Sequence, residues 1–148
     1  MKGLTLIEIL ISMAIIIVLA TLLGSVLSSF GESNKLTEAD SGVIGMLRDA
    51  RARTMSSQSA SNFGVHFENS KVVLFQGNVY DQFGASNEDY ILPFGTEIST
   101  ITLSGGVDDI VFTRLYGTTT ASGTVIIRST GDTTKTRTVT VFSTGGIK

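Results

Sequence analysis

The chain has 148 residues, with 11 basic side chains, 13 acidic side chains and no cysteine. The absence of cysteine excludes a disulfide framework and any thiolate chemistry or thiolate metal site. The small negative charge gives no sign of a nucleic-acid footprint over the whole chain. The length allows one modest globular domain beside the apolar segment with which the sequence opens.

An apolar run extends from Leu4 to Gly24 and contains one charged residue, Glu8. At about 1.5 Å of rise per residue, a helix of this length is roughly 30 Å long, which matches the hydrocarbon core of a bilayer. The apolar core of a signal peptide is shorter, about 7–15 residues. A charge at the centre of a membrane helix costs about 2.5–3.5 kcal/mol, so Glu8 is expected to have a partner and a function.

A second, amphipathic part continues the helix beyond the apolar run. Residues on one face recur at steps of three and four, with charged residues opposite them. The members of this apolar stripe are Leu36, Ala39, Val43, Leu47, Ala50 and Thr54. We therefore predict one helix from Leu4 to about Ser57, weakened near Gly24–Gly31 and Gly42–Gly45 because glycine costs up to about 1 kcal/mol relative to alanine inside a helix.

The rest of the chain changes to a period of two, with many β-branched residues between Gly-rich and Thr-rich turns. The predicted strands cover residues 63–67, 72–74, 90–92, 98–103, 110–116, 124–128 and 136–142. The predicted fold class is therefore α+β, with a long N-terminal helix packed on an antiparallel β-sheet head in one structural unit.

The residues give little support to an enzyme, and we assign no catalytic residue, cofactor or metal. His66 is the sole histidine, so a histidine-based metal site lacks its usual further ligands. It falls on the strand face opposite the apolar side chains, which predicts a solvated or cross-strand-paired histidine. The acidic pairs Asp108-Asp109 and Glu88-Asp89 are interpreted as loop residues, because neighbours in a strand point to opposite faces.

The segment Lys2-Gly3-Leu4-Thr5-Leu6-Ile7-Glu8 resembles the processing signal of type IV pilin-like proteins. The resemblance implies that a prepilin peptidase cuts between Gly3 and Leu4, that the new N-terminal residue is methylated, and that the apolar helix stays on the mature protein. Glu8 then becomes the fifth mature residue, where the family has its assembly glutamate. The family more often has Phe after the cut, and Leu4 departs from that pattern.

The head resembles the GspH/FimT group of minor pilins and type II secretion pseudopilins. The matching positions are Leu47, Ala50-Arg51, Val65, Val111-Phe112, Gly123-Thr124-Val125, Thr138-Val139-Thr140-Val141 and the terminal Gly145-Gly146-Ile147. Family members often have a proline late in the membrane helix, whereas the sole proline here is Pro93. The resemblance implies a leader at 1–3, a transmembrane helix at 4–30, and an outer head at 31–148 with its amphipathic helix to about 58 and its β-structure at 62–148.

The implied function is that of a structural subunit in a type IV pilus or a type II secretion pseudopilus, between which the sequence does not choose. The implied location is the inner membrane, with one span and the head outside, and then a filament. The implied partners are other pilin or pseudopilin subunits, prepilin peptidase, an inner-membrane assembly platform and membrane lipid. A plain membrane-anchored binding domain is one alternative.

A DNA-binding minor pilin is the other alternative, because some members of this group take up DNA. The last part of the chain is locally basic, and phosphate contacts require lysine and arginine clustered on one face. The candidate contacts are Arg128, Lys135 and Arg137. The same residues equally fit a scattered basic face in contact with solvent.

Overall fold

The structure is a computed structural model that describes residues 5–148, apart from the side chains of residues 22–29. The predicted leader, residues 1–3, and the predicted cleavage site between Gly3 and Leu4 lie outside the described residues. The predicted membrane segment, residues 4–30, lies partly outside them.

A single helix, α1 (Leu6–Met55), forms the first third of the molecule, in agreement with the predicted helix from Leu4 to about Ser57. Thr5 precedes it in an extended conformation, with φ −82° and ψ 150°. At the other end the backbone of Ser57 is left-handed, with φ 58°, and a short 3₁₀ turn (Gln58–Ala60) follows. This turn redirects the chain from α1 into the first strand.

Seven strands follow the helix, each near a predicted position. They are β1 (Phe63–Phe67), β2 (Lys71–Gln76), β3 (Glu88–Ile91), β4 (Thr96–Leu103), β5 (Asp109–Phe112), β6 (Gly123–Ser129) and β7 (Thr136–Val141). They form a four-stranded sheet in the order β3-β2-β1-β5 and a three-stranded sheet in the order β4-β6-β7. All the pairings between these strands are antiparallel, and β4 carries a bulge between Ile98 and Thr100. The predicted α+β class is confirmed.

The hydrophobic core lies between the second half of α1 and the two sheets. All six residues of the predicted stripe are buried, and the helix contacts β1, β2, β6 and β7. Thr54, the polar member, is satisfied: its hydroxyl donates to the carbonyl of Ala50 at 2.8 Å and accepts from the amide of Phe63 at 2.9 Å. A buried hydroxyl without such partners would cost about 1–3 kcal/mol.

The outer face of the four-stranded sheet is also covered, so β2 is buried on both faces. Tyr80, in the β2–β3 loop (residues 77–87), contacts the ring of Phe75 and stacks on His66. Gly64 makes room for this layer, because a Cβ there would lie 2.5 Å from Cζ of Phe75. The sequence pattern predicts strands that are buried on one face, and β2 differs because the β2–β3 loop covers its other face.

Two predictions about acidic pairs are wrong. Glu88 and Asp89 open β3, and Asp109 opens β5; among these four acids only Asp108 lies in a loop. Each of the three strand carboxylates has a cationic or imidazole partner: Arg53 for Glu88, Lys71 for Asp89 and His66 for Asp109. Pairing with partners that are distant in sequence therefore stabilises acids in strands.

The predicted strand at residues 110–116 is too long. β5 ends at Phe112, and Leu115 has a left-handed backbone with φ 69°. The amide of Gly117 donates to the carbonyl of Thr113 at 2.8 Å, which closes a turn. A left-handed residue interrupts the extended geometry, so the strand cannot continue to residue 116.

Candidate assembly surface

The first part of α1 exposes apolar side chains around its whole circumference. Every large apolar residue between positions 6 and 19 is exposed: Leu6, Ile7, Ile9, Leu10, Ile11, Met13, Ile15, Ile16, Ile17, Val18 and Leu19. A helix that is apolar on all sides is buried in another structure, either a membrane or a bundle of helices. We call residues 6–19 the exposed segment.

Side chains one turn apart on the exposed segment line a shallow groove without polar atoms. Its lining residues are Ile11, Ala14, Ile15, Val18 and Leu19. Residues three and four apart share one helix face. This groove is a surface into which apolar side chains of another helix, or lipid chains, can pack.

Glu8 lies in the first turn of α1, and its backbone carbonyl accepts a hydrogen bond from the hydroxyl of Ser12 at 2.7 Å. Within residues 5–148, no ion pair to the Glu8 carboxylate is present. The positive end of the helix dipole favours a carboxylate at this position. The predicted partner, the amine of Leu4, lies outside the described residues.

The described part of the chain contains no helix with both the length and the apolar character that crossing a bilayer requires.

The three predicted nucleic-acid contacts lie in the last third of the chain, on different elements. Arg128 in β6 donates to Glu97 in β4, with 2.6 Å between Nε and Oε1. Lys135, in the β6–β7 loop, pairs with Glu32 of α1 at 3.0 Å. Arg137 is an exposed residue of β7. Two of the three cations thus face carboxylates, which reduces the positive charge available to a phosphate backbone.

His66 is a cross-strand-paired histidine, one of the two alternatives that the sequence offered. It lies opposite Asp109 of β5, its Nδ1 contacts the Asp109 carboxylate, and its ring stacks on Tyr80 with centroids 3.9 Å apart. In the part of the chain that the structure describes, no group of three or more metal-ligating side chains comes together. The stacking of His66 on Tyr80 attaches the β2–β3 loop to the sheet.

Arg53 has a structural role that the sequence analysis missed. It binds Asp49 of the same helix, with 2.7 Å between Nη2 and Oδ2, and forms a second, two-pronged pair with Glu88 of β3. Two hydrogen bonds raise the pKa of the Arg53 guanidinium, and the bond to Glu88 has a larger effect than the bond to Asp49. The four-residue spacing of Asp49 and Arg53 is a signal from which the local pair could have been predicted, but nothing local indicates Glu88.

Solved structures share this fold. The type IV minor pilin FimU of Pseudomonas aeruginosa strain PAO1 superposes with a TM-score of 0.59 at 19% identity, over 80% of this chain and 90% of that one. The minor pseudopilin EpsH of the Vibrio cholerae Type 2 Secretion System superposes with a TM-score of 0.55 at 13% identity, over 77% of this chain and 94% of that one. No protein-family model matches the sequence, and no curated protein is detectably similar to it. The resemblance to type IV pilin-like proteins is thereby confirmed for the fold.

Proposed function

We propose that this chain is a structural subunit of a type IV pilus or a type II secretion pseudopilus. The observation that carries the proposal is the division of α1: its second half buries one apolar stripe in the head, while its first segment exposes apolar side chains on all sides. Such a segment requires an apolar environment that the head does not provide. The fold shared with a minor pilin and a minor pseudopilin supports the same role.

Before assembly, the proposed environment is the inner membrane. Residues 4–30 form the proposed span, about 40 Å long at about 1.5 Å per residue, and a helix of this length crosses the roughly 30 Å hydrocarbon core of a bilayer at a tilt. The head lies outside. Prepilin peptidase removes residues 1–3, and the new N-terminus at Leu4 is methylated.

After assembly, the proposed environment is a filament core made of the same helices. The carboxylate of Glu8 then requires a cation, because breaking or omitting one partner of a buried ion pair is strongly destabilising. The proposed cation is the N-terminal amine of Leu4 on a neighbouring subunit. Lys2 is removed with the leader and cannot take this role. The pair selects register, because an incoming helix lowers its desolvation cost only where Glu8 meets that amine.

The test is the Glu8→Val variant, compared with Ile9→Val at the next position of the same exposed segment. Glu8→Val is expected to insert and to be cleaved, yet to fail to enter filaments or to cross-link with neighbouring subunits. Ile9→Val keeps an apolar side chain and is expected to assemble as the unmodified protein does. Incorporation is measured in sheared filament fractions at equal membrane levels. Normal incorporation of Glu8→Val contradicts the role of Glu8.

Processing has its own test at Gly3. A peptidase that cuts beside a membrane surface needs a residue with little bulk before the scissile bond. Mass spectrometry is expected to find Gly3→Val at full length, while Gly3→Ala, which adds one methyl group, is still cut. Normal trimming of Gly3→Val would remove the main support for maturation as a pilin-like subunit.

DNA binding stays a prediction from the sequence. Because Arg128 and Lys135 each face a carboxylate, the described surface gives no specific observation in its favour. Retention of DNA by the protein, compared between the unmodified chain and one with Arg128, Lys135 and Arg137 neutralised, tests it directly.

A further inference from the structure

Two loops of the head meet α1 at the turn where its contact with the head begins. They are residues 92–95 between β3 and β4 and residues 130–135 between β6 and β7, which we call the basal loops. The amide of Thr130 donates to the carbonyl of Gly95 at 2.9 Å, and Lys135 pairs with Glu32 at 3.0 Å. Leu36 is the first residue of the buried stripe. The basal loops therefore form the end of the head that faces the exposed segment.

Phe94 is held outside the head by this arrangement. Its side chain is 93% exposed, the highest value among the described large apolar residues, although Leu92 and Thr96 on either side are buried. The amide and the hydroxyl of Thr96 both donate to the carbonyl of Pro93, at 3.1 and 2.7 Å. Gly95 supplies a left-handed φ of 92°. A closed turn with both ends anchored gives the ring no route into the core.

The side chain of Lys35 lies close to the ring of Phe94. The ammonium of Lys35 lies 5.7 Å from the ring centroid of Phe94, within the range of a cation–π contact. No ion pair of Lys35 is present among residues 5–148. The acids nearby, Glu32 and Asp132, lie 3.0 and 3.8 Å from the ammonium of Lys135, which balances part of their charge. Helices that lie on a membrane surface combine apolar residues such as phenylalanine, which enter the headgroup boundary, with lysines, whose ammonium groups stay among the headgroups.

We propose that the basal loops rest on the bilayer surface before assembly, with Phe94 inserted at the headgroup level and Lys35 among the lipid headgroups. The inference depends on the proposed membrane span, residues 4–30. Lys35 follows that span by five residues, or about 7.5 Å along the helix axis. The interfacial layer on each side of the hydrocarbon is of similar thickness, since a bilayer is about 30 Å thick without headgroups and about 40–45 Å with them.

The observations favour a lipid surface over a second protein. The basal loops lie beside the helix whose first part is proposed to span the membrane, and Phe30 at the end of the proposed span is also exposed. Contact with the bilayer fixes the tilt of the head relative to the membrane. The subunit must break this contact when it leaves for the filament, so the ring acts as a releasable anchor.

The sequence contains no tryptophan, which permits single-tryptophan reporters in the full chain. Phe94→Trp reports on the basal loops. Phe83→Trp is the matched control, because Phe83 is 88% exposed but lies in the β2–β3 loop. Ile15→Trp reports on insertion of the helix itself. Each variant is reconstituted into unilamellar vesicles of phosphatidylcholine and phosphatidylglycerol, with and without brominated lipid. The bromines lie near the headgroup end of the acyl chain for Phe94→Trp and Phe83→Trp, and deep in the acyl chain for Ile15→Trp.

The expected result is a blue-shifted emission of Phe94→Trp that the brominated lipid quenches, with neither effect in Phe83→Trp. Lys35→Gln in the Phe94→Trp chain is expected to reduce the quenching. If Ile15→Trp is quenched and Phe94→Trp is not, the helix is inserted but the head does not touch the bilayer, and this inference is overturned. If Phe94→Trp is blue-shifted without quenching, the ring is covered by protein, which also overturns it. If Ile15→Trp is not quenched, the proposed membrane span fails, and the anchor fails with it.

Discussion

The two halves of α1 use apolar residues in opposite ways. In the second half they form one stripe, from Leu36 to Thr54, and the head buries all of it. In the exposed segment they occupy every side, and the described residues bury none of the large ones. The two parts of one helix therefore differ in burial, and the distribution of apolar residues around the helix axis distinguishes them.

Apolar content alone therefore does not indicate where a helix is buried. A stripe of about 100° can be covered by one surface, such as the two sheets of this head. A helix that is apolar on all sides needs cover on all sides, which one domain of this size does not supply. Among the described side chains, the boundary falls near Glu32, which pairs with Lys135 of the basal loops.

The largest expected difference between the two halves is in the free energy of unfolding, when one leucine of each half is replaced by alanine. Leu47→Ala leaves a cavity in the core and is expected to lower the free energy of unfolding of the head by about 2–5 kcal/mol. Leu19→Ala, on the exposed segment, is expected to change it by about 0.5 kcal/mol or less. The measurement is urea unfolding of the full chain in mild detergent, followed by the fluorescence of Tyr80, Tyr90 and Tyr116. All three tyrosines lie in the head, so the signal reports on the head alone. Equal losses in both variants would show that the two halves are not energetically separate.

The stripe and the strands were predictable because each depends on local periodicity. Residues from Leu36 to Thr54 repeat at helical spacing, and residues 63–67 alternate at strand spacing, so no knowledge of the partner was needed. The burial of β2 was harder to predict, because one of its faces is covered by Tyr80, which lies in a loop without periodicity.

The polar contacts were less predictable for the same reason. Glu88 and Asp109 are interpreted as loop acids from their place in adjacent acidic pairs. The sequence does not show their partners, Arg53 and His66, which are 35 and 43 residues away. The order of the strands brings these groups together, and no local pattern specifies that order. For the proposed assembly contact, the motif ending at Glu8 predicts the residue. Its proposed partner is Leu4 of another subunit, a residue that lies outside the described part of the chain.

Substitution of Arg53 tests whether ion pairs, as well as the packing of the apolar stripe, attach the second half of α1 to the head. Arg53→Lys retains the charge but loses the planar fork that binds Asp49 and Glu88 together, because an ammonium cannot reproduce bidentate geometry. We expect a loss of about 1 kcal/mol in the free energy of unfolding, the upper end for a partly exposed pair. Arg48→Lys, at an exposed position of the same helix, is the control and is expected to show almost no change. The loss is expected to shrink at high salt, which screens such pairs; a loss that does not depend on salt would assign the effect to packing.

Gly42 and Gly45 provide the smallest and most selective test, because both were predicted to weaken the helix yet they meet different surroundings. A Cβ at Gly42 would lie 2.0 Å from Cζ of Tyr90, whereas a Cβ at Gly45 meets nothing within 4 Å. Gly45→Ala is therefore expected to stabilise the head by up to about 1 kcal/mol, the gain in helix propensity. Gly42→Ala has the same gain, but it displaces the ring and breaks the 3.2 Å hydrogen bond from Tyr90 to the carbonyl of Glu38.

A hydrogen bond of this kind contributes about 0.5–1.5 kcal/mol, so the gain at Gly42 is largely cancelled and the two variants are expected to differ by about that amount. Tyr90→Ala removes the ring, and in that background both glycine variants are expected to stabilise the head equally. Urea unfolding of the three single variants and the two double variants measures the coupling. A difference that persists without the ring would mean that Gly42 is required by the helix itself and not by its contact with β3.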